Sequence, residues 1–188
     1  MKKKLLITGG AGFIGSNFIR HFLKTHPEWE VFNLDKLTYA GNPANLRDLE
    51  GQPGYHFLQG DILDRALVQK ICRGKDGLIH FAAETHVDRS IDDDRDFLNT
   101  NIVGTRNLLE AACQSRIPRF VHISTDEVYG SIEKGEARED ALLCPNSPYS
   151  ASKAAGDLLV RAYQKTYGLQ ALIVRSTNNF GPYQFPEK

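Results

Sequence analysis

Asp126 and Glu127 stand side by side in the segment STDEVYG at 124–130, and Tyr149 and Lys153 follow in YSASK at 149–153. Tyrosine and lysine four residues apart share one face of a helix, where the ammonium can lower the phenol's pKa and the tyrosinate can take a hydroxyl proton as hydride leaves the carbon. The adjacent carboxylates supply a second, separate acid/base pair, suited to a substrate that oxidation has already made reactive. Together the four residues imply oxidation followed by proton abstraction and elimination.

A hydride acceptor is implied at the other end of the chain. TGGAGFIG at 8–15 follows a short apolar run and opens a helical pattern, with Gly9, Gly12 and Gly15 in GxxGxxG spacing. Such glycines permit a tight turn, let the backbone approach a pyrophosphate and let helix pack close to strand, while the helix N-terminus attracts the phosphates. Asp35, at the end of the next apolar run, can accept hydrogen bonds from an adenosine ribose and would repel a 2′-phosphate, which favours NAD over NADP. Asp61, at the end of the third run, is placed to reach the adenine amine.

The elements that must position these groups alternate. Apolar runs predict strands at 4–8, 30–35, 55–58, 78–82, 120–124 and 171–175, and helical periodicity predicts helices at 12–25, 64–73, 96–115 and 149–167. Continuously apolar strands separated by helices imply right-handed crossovers and a parallel sheet covered on both faces. The expectation is an α/β fold, a doubly wound parallel sheet of the NAD(P)-binding Rossmann type with strand order 3-2-1-4-5-6, filling one domain over 1–188.

Composition excludes several other classes. The 188 residues carry 23 Lys plus Arg against 23 Asp plus Glu, so no basic field would draw nucleic acid or an anionic membrane. Cys72, Cys113 and Cys144 have no CxxC pairing and no zinc-finger histidines, which points to reduced thiols in the cytoplasm and to no metal site. Lys2–Lys4 precede too short an apolar run for a signal peptide, and no segment approaches the roughly 20 apolar residues of a membrane span. His80 and His122 fall in core strands, where hydrogen bonds should satisfy them, while His21, His26 and His56 read as surface residues. Asp92–Asp94 read as a solvated helix start.

With the glycine turn and the YxxxK pair, the chain resembles the extended short-chain dehydrogenase/reductase superfamily. DKLTYAGN at 35–42, HFAAETHVDRSI at 80–91, STDEVYG at 124–130 and NNFGPYQFPEK at 178–188 narrow the resemblance to the dTDP-glucose 4,6-dehydratase family. The resemblance implies that Tyr149 takes the O4 proton with help from Thr125, Glu127 removes the C5 proton, Asp126 protonates the departing 6-hydroxyl, and hydride returns from NADH to C6. It further implies NAD contacts from Phe13, Ile14, Lys36, Leu37, Thr38, Ile62, Phe81, Ala82, Ala83, Glu84, Thr100 and Asn179, as well as from Tyr149 and Lys153. Thr85, Asn178 and Lys188 match substrate contacts, Lys188 on the diphosphate side. The helices at 96–115 and 149–167 resemble those that build a homodimer interface. Family members continue beyond the position of Lys188 with a substrate-binding lobe, so this chain is expected to be the catalytic part without it.

One geometric condition attaches to the acid/base pair. Asp126 must keep a proton that Glu127 lacks, and neighbouring carboxylates do resist joint ionisation. In a regular strand, however, adjacent side chains point to opposite faces, so both can address one substrate only if the chain bends after Thr125. A UDP-sugar 4,6-dehydratase, a 4-epimerase needing no elimination pair, and a catalytically inactive NAD-binding module remain the alternatives.

Overall fold

A computed structural model describes residues 2–185. Six parallel strands, β1 (Lys3–Thr8), β2 (Trp29–Asp35), β3 (Tyr55–Gln59), β4 (Gly77–His80), β5 (Phe120–Thr125) and β6 (Ala171–Ser176), form one sheet in the order β3-β2-β1-β4-β5-β6. The expected strand order is therefore the observed one. The order reverses direction between β1 and β4, and a crevice opens there at the carboxyl ends of the strands.

Alternation along β1 explains why its sequence is apolar on both sides. Leu6 packs with Leu78, Leu108, Phe120 and Val160 in one core, while Leu5 and Ile7 pack with Ile19 and Val31 in another. Each face of the sheet thus buries its own layer, and neither tolerates a polar stripe.

The helices are α1 (Phe13–Thr25), α2 (Arg65–Cys72), α3 (Val87–Asp92), the single turn α4 (Arg95–Phe97), α5 (Thr105–Gln114) and α6 (Pro148–Tyr167). Helix α6, which carries Tyr149 and Lys153, has strong local end signals. Ser147 and Ser150 form a reciprocal capping box, Pro148 begins the helix, and Gly168 at φ +70° stops it. No helix among the described residues is long and apolar enough to cross a membrane.

The stretch 96–115, expected as one helix, is instead α4, a π-helical segment at Leu98–Gly104 and then α5. Within the π segment, buried Asn101 accepts from the Glu84 amide at 2.9 Å. Its Nδ2 donates to the Glu84 carbonyl at 3.0 Å and to Ser152 Oγ at 2.8 Å. These bonds tie the irregular turn to the loop after β4 and to α6, the kind of functional edge where π turns recur. The acidic run also differs from a simple helix start. Asp92 ends α3, Asp93 pairs with Arg95 at 2.5 Å, and Asp94 caps α4 without a side-chain hydrogen bond.

Candidate active site

The turn between β1 and α1 is shaped by three glycines that packing requires, Gly9, Gly10 and Gly15, and one, Gly12, that it does not. Gly9 lies at φ +74°, and a Cβ there would collide with the Ala82 backbone; a Cβ on Gly15 would lie 2.5 Å from the Gly9 carbonyl oxygen. Gly12 is different. Its φ of −76° and ψ of 175° suit any residue, and a Cβ there would meet nothing nearer than Gly9 O at 3.4 Å. The space it leaves is part of the cleft, at the N-terminus of α1, where Gly12 caps the helix without a side chain. This is a cradle that a methyl group would fill, and it fits a dinucleotide diphosphate facing free helix amides.

Side chains from β2 and the following loop hold that turn in place. Asn33 Oδ1 accepts from the Gly10 amide at 3.1 Å, and Asn45 Nδ2 donates to the Ala11 carbonyl at 2.9 Å. Asp35 accepts from the Ala11 amide at 2.8 Å through Oδ2 and from the Leu37 amide at 2.8 Å through Oδ1. Burial raises its pKa and these two amides oppose the rise. Each carboxylate oxygen keeps a second lone pair, so Asp35 can fasten the turn and still accept from a ribose. Beyond it, Lys36 pairs with Asp61 at 2.8 Å, tying the loops after β2 and β3.

A cleft of about 590 Å³ runs over the strand ends. Among the described residues, every candidate lines it except Leu37. Leu37, for which the resemblance implies a cofactor contact, sits at φ +59° and has a backbone role through its bond to Asp35. Lys188 lies outside the described residues. The sequence reading also missed wall residues such as Ser124, His86 and Asp88. It missed the amides that brace the turn as well, although Asn33, a polar residue between Phe32 and Leu34 in β2, was a visible signal.

The bend required after Thr125 is present. β5 ends at Thr125, and Asp126–Tyr129 form a 3-10 turn that brings both carboxylate residues onto the cleft. Thr125 caps this turn: its Oγ1 accepts from the Glu127 amide at 3.2 Å and donates to Asp126 Oδ1 at 3.2 Å. A strand alone would have sent one carboxylate to each face.

Tyr149 and Lys153 face the same cleft from α6. The Tyr149 ring packs edge-on against Phe97 at 6.3 Å, its amide donates to Ser90 Oγ at 3.1 Å, and its phenol shares a hydrogen bond with the Thr125 side chain. Lys153 Nζ donates to the Ile123 carbonyl at 2.7 Å, and burial pulls its pKa down to about 8 against the opposing pull of Asp157. The expected lowering of the phenol by Lys153 is overturned. Burial first, and Glu127 next, push Tyr149 above the usual tyrosine range, and only the Thr125 hydrogen bond works against them. The cause is tertiary: burial of the phenol, and after it the neighbouring carboxylates, set its pKa rather than the lysine whose sequence spacing looked ideal.

The two core histidines diverge. His80 bonds Thr8 Oγ1 at 2.8 Å and Thr105 Oγ1 at 3.0 Å, as expected of a satisfied core residue. Neither ring nitrogen of His122 makes a hydrogen bond among the described residues; Nε2 faces Asp157 Oδ1 at 3.5 Å. Asp157 gives its other oxygen, Oδ2, to Arg175, while the Oδ1 that faces His122 likewise makes no hydrogen bond among the described residues, so the expected satisfaction of this histidine is not seen.

Residues 6–188 match the family model described as GDP-mannose 4,6 dehydratase. The chain is 54% identical over 189 residues to the dTDP-glucose 4,6-dehydratase of Streptomyces niveus, a match covering 98% of this chain and 56% of that relative. Among solved structures it is similar to DesIV, a dTDP-glucose 4,6-dehydratase from Streptomyces venezuelae crystallised with NAD bound. That likeness has a TM-score of 0.96 and 53% identity over 98% of this chain and 59% of the other. A UDP-glucuronic acid 4-epimerase from Bacillus cereus, in complex with UDP-glucuronic acid and NAD, is similar at a TM-score of 0.91. Its identity is 33%, over 98% of this chain and 60% of that one. The chain spans a little over half the length of these relatives.

Proposed function

Because the chain belongs to the GDP-mannose 4,6 dehydratase family, we propose that residues 1–188 are the NAD-binding, catalytic part of a nucleotide-sugar 4,6-dehydratase. Its reaction is the conversion of dTDP-glucose to dTDP-4-keto-6-deoxyglucose and water. The observation that carries this reading is the turn after Thr125, which sets Asp126 and Glu127 on the same cleft as Tyr149. An epimerase needs the tyrosine and lysine but has no use for an elimination pair, so the paired carboxylates favour the dehydratase.

Gly12 and the first turn of α1 would hold the diphosphate of NAD, Asp35 the adenosine ribose, and Lys153 the nicotinamide ribose. When bound, NAD supplies the acceptor for the C4 hydride and the donor that returns it to C6. Tyr149, bonded to Thr125, takes the O4 proton in its tyrosinate form. With C4 a ketone, the C5 hydrogen is acidic, and Glu127 removes it while Asp126 delivers a proton to the leaving 6-hydroxyl. Asp35 disfavours NADP by repulsion of a 2′-phosphate.

Association as a homodimer through α5 and α6 belongs to the same reading, supported by the exposed Leu158 and Tyr167 on α6 and Val103 just before α5. Three free cysteines suit a reducing cytoplasm. The deciding experiment incubates NAD-loaded protein with dTDP-glucose deuterated at C4. The expected product is lighter by one water and carries the label at C6. An isomer of unchanged mass would point to an epimerase, and unchanged sugar with its C4 label would leave only an NAD-binding module.

A further inference from the structure

Behind the cleft, Arg175 on β6 joins the two elements on which the chemistry is divided. Its Nε donates to Asp157 Oδ2 at 2.8 Å, and its Nη1 donates to Tyr129 Oη at 2.7 Å and to the Glu139 carbonyl at 3.2 Å. Asp157 is fully buried and lies one helical turn beyond Lys153 on α6. Tyr129 closes the 3-10 turn that begins with Asp126 and Glu127, and its ring centroid lies 5.0 Å from the guanidinium carbon. One planar side chain thus holds the oxidation helix with one nitrogen and the elimination turn with another.

We propose that Arg175, anchored by Asp157, is a positioning residue that sets the Asp126–Glu127 turn at a fixed place relative to Tyr149 and Lys153. The inference rests on the function proposed above, because that reaction makes both elements act on one sugar. A step at C4 and a step at C5–C6 need their acid/base groups on the two elements held in one geometry, and small displacements are costly in rate. Lysine cannot replace the clamp: a point charge on a flexible stem lacks the rigid fork that reaches two acceptors in one plane. The pull of Asp157 on Lys153 is consistent with a connection that extends to the helix's own catalytic lysine.

The test compares NAD-loaded wild type with Tyr129→Phe and Arg175→Lys. Tyr129→Phe keeps the ring and removes only the hydroxyl that accepts from Nη1, so it avoids stranding the buried Asp157 carboxylate. We expect folding and NAD content as in wild type, nearly constant KM for dTDP-glucose, and kcat lower by about tenfold or more, the scale of one hydrogen bond to a charged group. The primary isotope effect on kcat with C5-deuterated substrate should rise while that with C4-deuterated substrate falls, because elimination alone has been misaligned. Arg175→Lys should show the same shift, larger in size. Wild-type kcat and isotope effects in Tyr129→Phe would overturn the inference. So would a lower kcat with both isotope effects unchanged, since that is loss of folded enzyme only. If wild type forms no 4-keto-6-deoxy product, the proposed function fails and this inference with it; if wild type turns over and the variants match it, this inference fails alone.

Discussion

Gly12→Ala and Gly15→Ala, three residues apart in one turn, should fail in opposite ways. At position 15 the new Cβ would lie 2.5 Å from Gly9 O and 2.7 Å from Gly10 Cα, both backbone atoms. That backbone cannot recede freely, because Asn33, Asp35 and Asn45 hold residues 10 and 11 by hydrogen bonds. Overpacking of this kind costs about 1–3 kcal/mol. In a chain of this size that lowers Tm by roughly 2–4 °C per kcal/mol. At position 12 the nearest protein atom to the new Cβ is 3.4 Å away and the backbone is extended, so the protein alone loses only the few tenths to about 1 kcal/mol of a poorer helix cap. The methyl does, however, occupy the cleft at the end of α1. Displacing a diphosphate from one charge-assisted hydrogen bond costs about 1.5–3 kcal/mol, or roughly 10- to 100-fold in Kd. Thermal melts without ligand and calorimetric titration with NAD measure the two effects separately. Gly12→Ala protein that binds NAD as tightly as wild type would refute the assignment of this cradle to a ligand, and a ligand-free Tm as low as that of Gly15→Ala would refute the packing argument.

Two further perturbations test one group behind the cleft and one in its wall. Burial lowers His80 from 6.5 to about 3, so the folded state binds a proton less readily than the unfolded one, and stability must fall as pH drops below 6.5. From neutrality to pH 5 this single group accounts for about 2 kcal/mol, so His80→Gln should flatten the acid limb of a urea-unfolding series by that amount; equal slopes would contradict it. Asp35→Asn leaves one side-chain acceptor for two backbone amides, which should cost about 1–3 kcal/mol of stability. Removing the charge should also narrow the preference for NAD over NADP, read as the ratio of the two dissociation constants; a wider ratio would remove Asp35 from the ribose.

Much of this architecture was legible because its signals are local or periodic. A parallel sheet covered on both faces favours predominantly apolar strands, and such runs mark all six strands and, with the intervening helices, their winding. The π segment was not legible: a change in hydrogen-bond spacing leaves the apolar periodicity almost unaltered, while Asn101, which bonds the segment to Glu84 and Ser152, draws on residues far away in the chain. The bend after Thr125 could be required by argument, but only the folded chain shows the threonine hydroxyl capping it.

By itself the sequence determined which groups are available: a glycine turn, an acidic strand end, a tyrosine and lysine one helical turn apart, and a pair of carboxylates. Their spacing is covalent, and helix and strand geometry convert it into faces and ends. The tertiary structure decided how those groups behave. It pushed the Tyr149 phenol up rather than down, left His122 without a hydrogen bond among the described residues, and bound Asp157 and Tyr129 to one arginine. Electrostatic shifts depend on burial and on through-space distances to groups remote in sequence, and neither is set until the sheet and its helices have closed around them.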